Sequence, residues 1–295
     1  MRIVSPSAIT IHAATNGDLA AMDQLLLSIQ PGVFNLSVRM LGNRKHAADA
    51  TQEILLKVVT HLSAFRGESA LSTWVFQSAR NQLLTAITRS KKCPAISLDA
   101  MNERLQAALD FGQSVESRGQ TEHALTPEDK LEARQIALSC TQNMLMTMDR
   151  DQRLAYILDT VFGLPSRDAA EVLGVTPAAY RQRLARSRAK MNAFTAQTCG
   201  LVNADAACQC AKQLPALRHI RQTPERDADT SPTLIAIHRS ELAESERHFD
   251  SMLRMSDAAA VFRAHPEYRV PTSLHGAIRA VLKAEGFMTD PRPPQ

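Results

Sequence analysis

LPSRDAAEVLGVTPAAYRQRLARSRAKM, residues 164–191, is the stretch that decides the fold. It holds two helical segments separated by a tight break at Gly174. The first segment, residues 166–173, has apolar residues spaced to form one buried face. Gly174 can adopt the left-handed backbone conformation that ends a helix without steric cost. Thr176 and Pro177 then begin the second helix, with a hydroxyl at the N-cap and proline at the first helical position.

The second helix is apolar inside and arginine-rich outside. Tyr180, Leu184 and Met191 are spaced to form its inner stripe. A helix that is merely solvated usually mixes charges to gain i,i+4 ion pairs, and this one does not. Two short helices joined by a glycine turn therefore predict a helix-turn-helix that reads a DNA major groove. The rest of its surface is basic, with no acid among Arg181, Arg183, Arg186, Arg188 and Lys190.

The composition predicts an all-α protein. The 295 residues suffice for one large domain or two to three ordinary ones, and 44% are apolar. Aromatic residues make up only 4%, and no sustained alternating β-branched runs occur. The net charge of +4 is mild, so a nucleic-acid role depends on where the charge is concentrated. It is concentrated in residues 181–190 and in the run Arg89, Lys91 and Lys92.

Several classes of protein are not supported. The N-terminus MRIVSPSAIT lacks the apolar core of a signal peptide, and no apolar run approaches a membrane span. Five cysteines, an odd number, indicate a reducing cytoplasm. No glycine-rich phosphate loop, HExxH motif or nucleophile elbow occurs, and the histidines are scattered. We therefore expect a cytoplasmic protein that is not an enzyme and requires no cofactor.

The N-terminal third carries a helix with two different sides. Residues 17–41 predict two helices broken at Pro31, and residues 49–62 predict a third with a wide apolar stripe. Asp49, Gln52 and Glu53 lie on the other side of that third helix. Two acids at i,i+4 repel each other slightly, although acids near a helix N-terminus are favourable. The residues alone leave open whether this acidic patch binds a partner.

Aromatic and cationic groups follow in one neighbourhood. The loop at residues 65–68 precedes a predicted helix from about residue 71 to 89. Such a mixture can stack on unpaired bases and form hydrogen bonds with them. Trp74 is the only tryptophan of the chain, and for it a core position is the better interpretation. The groups concerned are Phe65, Arg66, Trp74, Arg80 and Asn81.

These stretches resemble a known family. DATQEILLKVV (49–59) and FRGESALSTWVFQSARN (65–81) resemble region 2 of sigma-70-type RNA polymerase sigma factors, and residues 164–191 are similar to region 4.2. The compact layout resembles the extracytoplasmic-function (ECF) group, over roughly residues 12–195. The implied map is region 2 at 12–92, a linker at 93–126, region 4 at 127–195 and a C-terminal extension at 196–295.

The resemblance implies partners and site residues. The partners are core RNA polymerase, promoter DNA and an anti-sigma factor, with no membrane. Asp49, Gln52 and Glu53 match the face that docks on the clamp helices of the polymerase β′ subunit. The positions matching the minus-ten surface are Phe65, Arg66, Gly67, Ser72, Thr73, Trp74, Arg80 and Asn81. The positions matching the minus-thirty-five surface are Thr176, Arg181, Arg183, Arg186 and Arg188.

The sequence departs from the family pattern at two places. After Asn81 the family commonly continues with an aspartate and several arginines, whereas this chain has Thr85, Ala86, Ile87 and Thr88. The minus-ten surface is therefore less charged than usual. Ala169 stands where a larger aliphatic residue is usual, which thins the predicted core of region 4.

The C-terminal extension contains a cysteine motif and two predicted amphipathic helices. Cys199, Cys208, Cys210 and His219 could form a Cys3His zinc site, although the usual C-x2-C pairs are absent. A reversible disulfide and buried free thiols are the alternatives. The helices, at residues 237–260 and 274–284, carry apolar stripes too small to fold alone. We expect them to pack on a sigma domain, on polymerase or on another protein.

We therefore predict an all-α, ECF-like sigma factor with a C-terminal regulatory extension. One alternative is a helix-turn-helix regulator that binds duplex DNA without polymerase. Another makes the extension a metal or redox sensor.

Overall fold

The chain folds into α-helices, as predicted. A computed structural model describes residue 3 and residues 5–89, 97–117, 124–222, 258–263 and 265–288. Within these ranges the only strand-like pairing is an isolated bridge between Cys199 and Cys208, and no helix is long and apolar enough to span a membrane. The helices are α1 (Ala8–Thr15), α2 (Leu19–Leu41), α3 (Arg44–Thr60), α4 (Leu71–Arg89), α5 (Leu98–Glu116), α6 (Pro127–Met146), α7 (Arg150–Thr160), α8 (Ser166–Leu173), α9 (Pro177–Thr198), α10 (Leu214–Gln222), α11 (Ala258–Arg263) and α12 (Thr272–Ala284). Short 3-10 helices lie at Leu62–Ala64 and Cys210–Gln213.

The helix-turn-helix forms where the sequence predicts it. Gly174 adopts the left-handed conformation with φ of 63° and ends α8. The backbone N–H of Ala179 donates a hydrogen bond of 3.2 Å to the hydroxyl of Thr176, which caps α9. Tyr180 and Met191 are completely buried, so they form the inner side of α9.

The expected break at Pro31 does not occur, because α2 continues through it as one 23-residue helix. Proline normally disrupts a helix interior, since it lacks an N–H and crowds the preceding turn. Here Ile29 and Val33, on both sides of the proline, are fully buried. The side chain of Asn35 also donates a hydrogen bond of 2.9 Å to the carbonyl of Pro31. Tertiary packing on both halves of α2 therefore outweighs the local preference for a break.

The chain divides into two compact units. The first comprises Met1–Lys91, Ile157–Arg181 and Glu267–Gln295. Its core forms where α2, α3 and α4 pack together. Helix α8 packs on α4 in this unit, and α12 packs on α3 and α2.

The second unit comprises Lys92–Tyr156 and Gln182–Pro266. Most of the segment expected to be a linker forms the 19-residue helix α5, which packs against α10 and the 3-10 helix at Cys210–Gln213. Met101 and Leu109 of α5 are buried. The sequence indicates only weak helicity, at residues 100–109, whereas α5 is longer because its apolar stripe is covered by the C-terminal extension, which is distant in sequence.

Some sequence predictions fall outside the described residues. These are most of the amphipathic helix expected at 237–260, the basic residues Lys91 and Lys92, and residues 118–123 of the expected linker. The second amphipathic helix, expected at 274–284, is present as α12.

A group of ion pairs joins α10 to α6 in the second unit. Arg218 contacts Asp129 at 2.5 Å and Glu132 at 2.7 Å. Arg221 contacts Glu132 at 2.7 Å and donates a hydrogen bond of 3.1 Å to Gln135. The arginines are roughly half exposed, so each pair contributes little to stability.

A capping box begins α6. The hydroxyl of Thr126 accepts a hydrogen bond of 3.1 Å from the backbone N–H of Asp129, and the Asp129 carboxylate accepts one of 2.8 Å from the N–H of Thr126. Hydrogen bonds to the carboxylate, first from the Thr126 hydroxyl and then from Arg218, lower the pKa of Asp129 to about 2.

We predict that Thr126→Ala lowers the free energy of unfolding by about 1 kcal/mol, because α6 loses its N-cap. The same substitution should raise the pKa of Asp129. A depressed carboxylate pKa stabilises the fold above the ordinary value of 3.8, and this contribution is lost as the pH falls toward about 2. Urea denaturation at neutral pH and an NMR titration of Asp129 measure the two effects. Thr85→Ala is the control, since that hydroxyl donates only to a carbonyl of its own helix. An unchanged pKa of Asp129 in Thr126→Ala would contradict the capping account.

Candidate polymerase and nucleic-acid interfaces

The acidic face of α3 is open to solvent. Asp49 and Glu53 are exposed and Gln52 is half-buried, while Ile54 and Val58 on the opposite side are completely buried. The side chain of Asn43 caps the start of α3 and accepts hydrogen bonds from two backbone N–H groups. The apolar side therefore anchors α3 in the core and leaves the two carboxylates available to a partner.

The loop after α3 brings an aromatic pair to the surface. The ring centroids of Phe65 and Trp74 lie 5.6 Å apart, and both residues are half-buried. Trp74 is therefore not the core residue that its rarity suggests. Arg66 is exposed beside them, and Gly67 has φ of 73°, a conformation that side-chain-bearing residues rarely adopt. Two aromatic faces and a cation thus share one patch, which suits stacking on unpaired bases.

The remaining minus-ten candidates differ in exposure. Ser72 is half-buried and Asn81 is exposed, whereas Thr73 is only 2% exposed. The Thr73 side chain therefore faces the core and is not available to a base. The sequence departs from the family pattern at Thr85 and Thr88. Both residues are exposed on the last turns of α4.

Arg80 lies against the helix-turn-helix. Its Nη1 atom is 3.7 Å from the point where a Cβ of Gly174 would stand. Nearby, the side-chain amide of Gln77 donates hydrogen bonds of 3.3 Å to both the carbonyl and the carboxylate of Glu171 on α8. The Nε atom of Arg80 is buried without a hydrogen-bond partner among the described residues. The Nε atom of Arg80 is therefore not open to a partner here, although the residue as a whole is only half-buried.

The outer side of α9 is uniformly basic. Arg181, Arg186 and Arg188 are exposed and Arg183 is half-buried. No acidic residue occurs between Glu171 and Asp205 in the sequence. A rigid helix that presents several guanidinium groups suits both phosphate contacts and bidentate contacts with guanine.

The cysteines of the extension meet a fourth cysteine that the sequence analysis did not include. Cys140 of α6 lines one small cavity together with Cys199, Cys208 and Cys210. The cavity volume is about 20 Å³, enough for about one water molecule. Cys140 lies on the apolar side of α6, and that position was the sequence signal that could have identified it.

The predicted set of three cysteines and His219 is not assembled. His219 is exposed on α10, where its ring lies 4.8 Å from that of Phe111. It points away because Leu214 and Leu217 occupy the buried side of α10. Among the described residues, no group of three or more His, Cys, Asp or Glu side chains is placed to hold a metal ion.

The thiols of this cavity resist ionisation. Burial raises the pKa of Cys140 well above its ordinary value, and neighbouring cysteines raise it further. Burial likewise raises the pKa of Cys199, Cys208 and Cys210. Since the thiolate is the reactive form, these features favour the alternative of buried free thiols over a redox sensor.

The comparisons with known proteins agree with the geometry. The family model described as Sigma-70 region 2 matches residues 25–93, and the model described as Sigma-70, region 4 matches residues 138–191. Helices α3 and α4 lie in the first match, and α8 and most of α9 lie in the second. Both matches end before the cysteine motif.

Curated sigma factors are similar to this chain over about 60% of its length. RNA polymerase sigma-H factor of Pseudomonas aeruginosa is 27% identical over 182 residues, which covers 60% of this chain and 88% of that protein. ECF RNA polymerase sigma factor SigW of Bacillus subtilis is 24% identical over 178 residues, covering 60% of this chain and 90% of the relative. Among solved structures, the sigma factor RpoE in complex with the anti-sigma factor NepR from Bartonella quintana aligns with a TM-score of 0.39 and 20% identity, over 59% of this chain and 95% of that one.

The two family matches, one over the acidic helix α3 and one over most of the basic helix α9, define a transcription factor with a sigma region 2 and a sigma region 4. The chain belongs to the sigma-70 family of RNA polymerase sigma factors, and relatives such as SigW of Bacillus subtilis are ECF sigma factors. Its function is to bind core RNA polymerase and direct promoter-specific initiation. None of these findings favours a helix-turn-helix regulator that acts without polymerase.

We predict that Arg181→Ala and Arg186→Ala each weaken promoter binding. The pattern of the loss shows whether the arginine contacts a base edge or only a phosphate. An arginine that contacts a base edge should cost about 1–3 kcal/mol and relax preference at that base pair. An arginine that contacts only phosphate should weaken all sequences equally and reduce the salt slope by about one unit. Binding of holoenzyme to a promoter and to scrambled DNA at several salt concentrations separates the two. Arg104→Ala, an exposed arginine on α5, is the control. Unchanged binding by the Arg181/Arg186 double variant would refute the assignment of α9.

We also predict that Cys140 and Cys210 react slowly with an alkylating reagent at neutral pH. Each should react at least about tenfold more slowly in the folded chain than in the denatured chain, because its raised pKa leaves little thiolate. Peptide mapping by mass spectrometry measures the rate at each cysteine, and the same chain in guanidinium chloride is the reference. Equal rates in both states would mean that the cavity is accessible and its thiols are activated.

Proposed function

We propose that α3 and α9 carry out the two halves of the sigma-factor function in this chain. Asp49, Gln52 and Glu53 would dock on the clamp helices of the polymerase β′ subunit. The observation that carries this proposal is the exposed pair of carboxylates, Asp49 and Glu53, on a helix whose other side is completely buried. Polymerase supplies the catalytic groups, so the chain acts in the cytoplasm as an initiation factor that is itself not an enzyme.

The minus-ten surface would be centred on the aromatic patch. The rings of Phe65 and Trp74 would stack on a base of the displaced strand, and the guanidinium of Arg66 would contact the phosphates of that strand. Ser72 and Asn81 can add hydrogen bonds. With Thr85 and Thr88 where the family commonly has charge, stacking would contribute more to this contact than electrostatics.

The minus-thirty-five surface would be the outer side of α9. Thr176 lies at the start of α9. Its hydroxyl and a backbone N–H group of the first turn could both bind a phosphate. The four arginines of α9 would then follow the major groove. An anti-sigma factor would have to cover one of these surfaces, and the acidic face of α3 and the basic side of α9 offer targets of opposite charge.

Run-off transcription with purified core polymerase tests the function. Holoenzyme formed with this chain should select DNA fragments from a random-sequence library, and the selected fragments should support initiation at one position. Core polymerase alone should not initiate there. A chain that binds the selected DNA equally well with and without polymerase would support the regulator alternative instead.

We predict that reversing the charge at two positions, Asp49→Arg with Glu53→Arg, abolishes association with core polymerase. The fold should remain intact, because both side chains are exposed. Co-purification measures the association, and thermal unfolding measures the fold. Asp99→Arg with Glu103→Arg is a matched control, since those exposed acids have the same i,i+4 spacing on α5. Undiminished co-purification by the α3 variant would contradict the docking face, and so would an equal loss in the α5 control.

A further inference from the structure

The C-terminal segment, residues 267–288, packs on region 2. It belongs to the same compact unit as α1 to α4, although the family model for region 2 ends at residue 93. Helix α12 of this segment packs on α3 and α2. Leu274, Ile278 and Leu282 form its buried stripe at helical spacing. The segment therefore adds a packed helix to a domain that the family model describes without it.

A non-helical stretch precedes α12, and a side-chain amide of α2 binds it. Asn35 accepts a hydrogen bond of 2.8 Å from the backbone N–H of Tyr268 and donates one of 3.0 Å to the Tyr268 carbonyl. One side chain thus satisfies both backbone groups of one residue. Asn35 is only 1% exposed, so water does not compete for these hydrogen bonds. They fix the backbone at Tyr268 and do not depend on its side chain.

The ring of Tyr268 is buried and contacts two arginines, one from α2 and one from α3. The guanidinium carbon of Arg39 lies 4.7 Å from the ring centroid, and that of Arg44 lies 5.7 Å from it. A cation within about 6 Å of an aromatic centroid is attracted by the ring electrons. Arg39 lies in the last turn of α2, and Arg44 is the first residue of α3. The ring therefore contacts both helices where they meet.

The corner between α2 and α3 is short. Only Gly42 and Asn43 separate the two helices. Gly42 adopts the left-handed conformation with φ of 69°, and the Asn43 side chain caps α3. Arg44 also donates a hydrogen bond of 3.0 Å to the carbonyl of Arg269. The C-terminal segment therefore holds the first residue of α3, next to the corner that sets the direction of this helix.

A buried charge makes this contact specific. Arg39 is only 1% exposed, and its Nη1 atom donates a hydrogen bond of 2.9 Å to the side-chain oxygen of Asn35. Burial lowers the pKa of Arg39, whereas Tyr268 and Glu267 act in the opposite direction. A buried charge is tolerated only when other groups compensate for its lost hydration. Two of the groups that do so, Tyr268 and Glu267, belong to the C-terminal segment.

The direction of α3 determines where its carboxylates lie. Asp49 and Glu53 follow Arg44 by five and nine residues, so they lie roughly 7 and 14 Å further along the helix. A change in the direction of α3 therefore moves both carboxylates together. Both stay exposed although α12 packs on the same helix. The C-terminal segment thus supports α3 without covering its acidic face.

We propose that residues 267–288 are a structural part of region 2, and that Tyr268 is a positioning residue that holds the start of α3 in the direction that polymerase docking requires. This inference rests on the proposed function, since α3 carries the docking face there. A binding surface must be held within about 0.5 Å and 10–20° of its productive geometry by packed neighbours. Residues 267–288 thus support docking, whereas the sequence predicts a regulatory extension.

Substitutions of Tyr268 in the full-length chain test this role. Tyr268→Ala removes the ring between Arg39 and Arg44 and should lower the affinity for core polymerase at least about tenfold. Tyr268→Phe keeps the ring and the backbone hydrogen bonds, so it should bind like the natural chain. Titration with purified core polymerase measures the affinity, at a temperature at which thermal unfolding shows each chain to be folded.

Hydrogen exchange separates positioning from a general loss of stability. If the ring holds the start of α3, the backbone amides of residues 47–53 should exchange at least about tenfold faster in Tyr268→Ala, while those of α4 keep their natural rate. A loss of stability throughout region 2 would raise the exchange rate equally in both helices. Mass spectrometry of peptides from each helix measures the rates in the free full-length chain.

A second substitution and a matched control accompany Tyr268→Ala. Tyr268→Leu fills part of the same space but has no ring face for a guanidinium, so it should show the same loss of affinity and decides the test if Tyr268→Ala does not fold. Phe111→Ala is the control, because it removes an aromatic contact of the extension elsewhere, between Phe111 of α5 and His219. It should leave the affinity unchanged.

The outcomes distinguish the positioning role from the function on which it rests. Natural affinity in a folded Tyr268→Ala or Tyr268→Leu chain would overturn the role of Tyr268, and so would an equal loss in Phe111→Ala. Equal exchange in α3 and α4, or unfolding of both variants, would also overturn it, since the ring would then act on the whole fold. Failure of the natural chain to bind core polymerase would overturn the proposed function instead.

Discussion

The buried guanidinium of Arg39 is the constraint on which the arrangement of the C-terminal extension depends. Its helix, α2, supplies fully buried residues to the core of region 2, so the charge cannot move to solvent without disturbing that core. Asn35 and the ring of Tyr268 surround it. The extension thereby becomes part of region 2 by compensating for a polar group that region 2 itself buries. A tail held only by apolar contacts would be less specific about where it binds.

The two charged surfaces of the molecule lie on different helices. The carboxylates of Asp49 and Glu53 project from α3, and the guanidinium groups of α9 project from a helix in the other family match. Each helix buries its apolar side, so the direction of its charge is determined by packing. In the proposed function, the basic side of α9 would bind DNA and the carboxylates of α3 would bind a partner that accepts them.

The cysteines illustrate how packing changes chemistry. In sequence, Cys199, Cys208 and Cys210 have the composition of a metal or redox motif. In the fold they line an apolar cavity with Cys140, and burial raises the pKa of each thiol. A thiol in such a place packs as a small apolar group. The segment that contains the motif thus joins α10 and the 3-10 helix to α6, which gives the extension its attachment to the second unit.

Local features were readable from the sequence because they depend on neighbouring residues. The left-handed Gly174, the cap at Thr176 and the sidedness of α3 and α9 follow from periodicity and turn chemistry within a few residues. Contacts between distant residues were not readable: Cys140 beside Cys199, α5 under the 3-10 helix, and Asn35 paired with Tyr268. Each joins segments that carry no mutual signal in their local patterns. The continuity of α2 through Pro31 has the same origin, since burial on both sides outweighs the local preference of proline. Sequence alone therefore determined the helix-turn-helix and the exposed charges of α3 and α9, whereas only the tertiary structure decided the continuity of α2, the extent of α5 and the surfaces that the C-terminal extension covers, because burial depends on residues that are far apart along the chain.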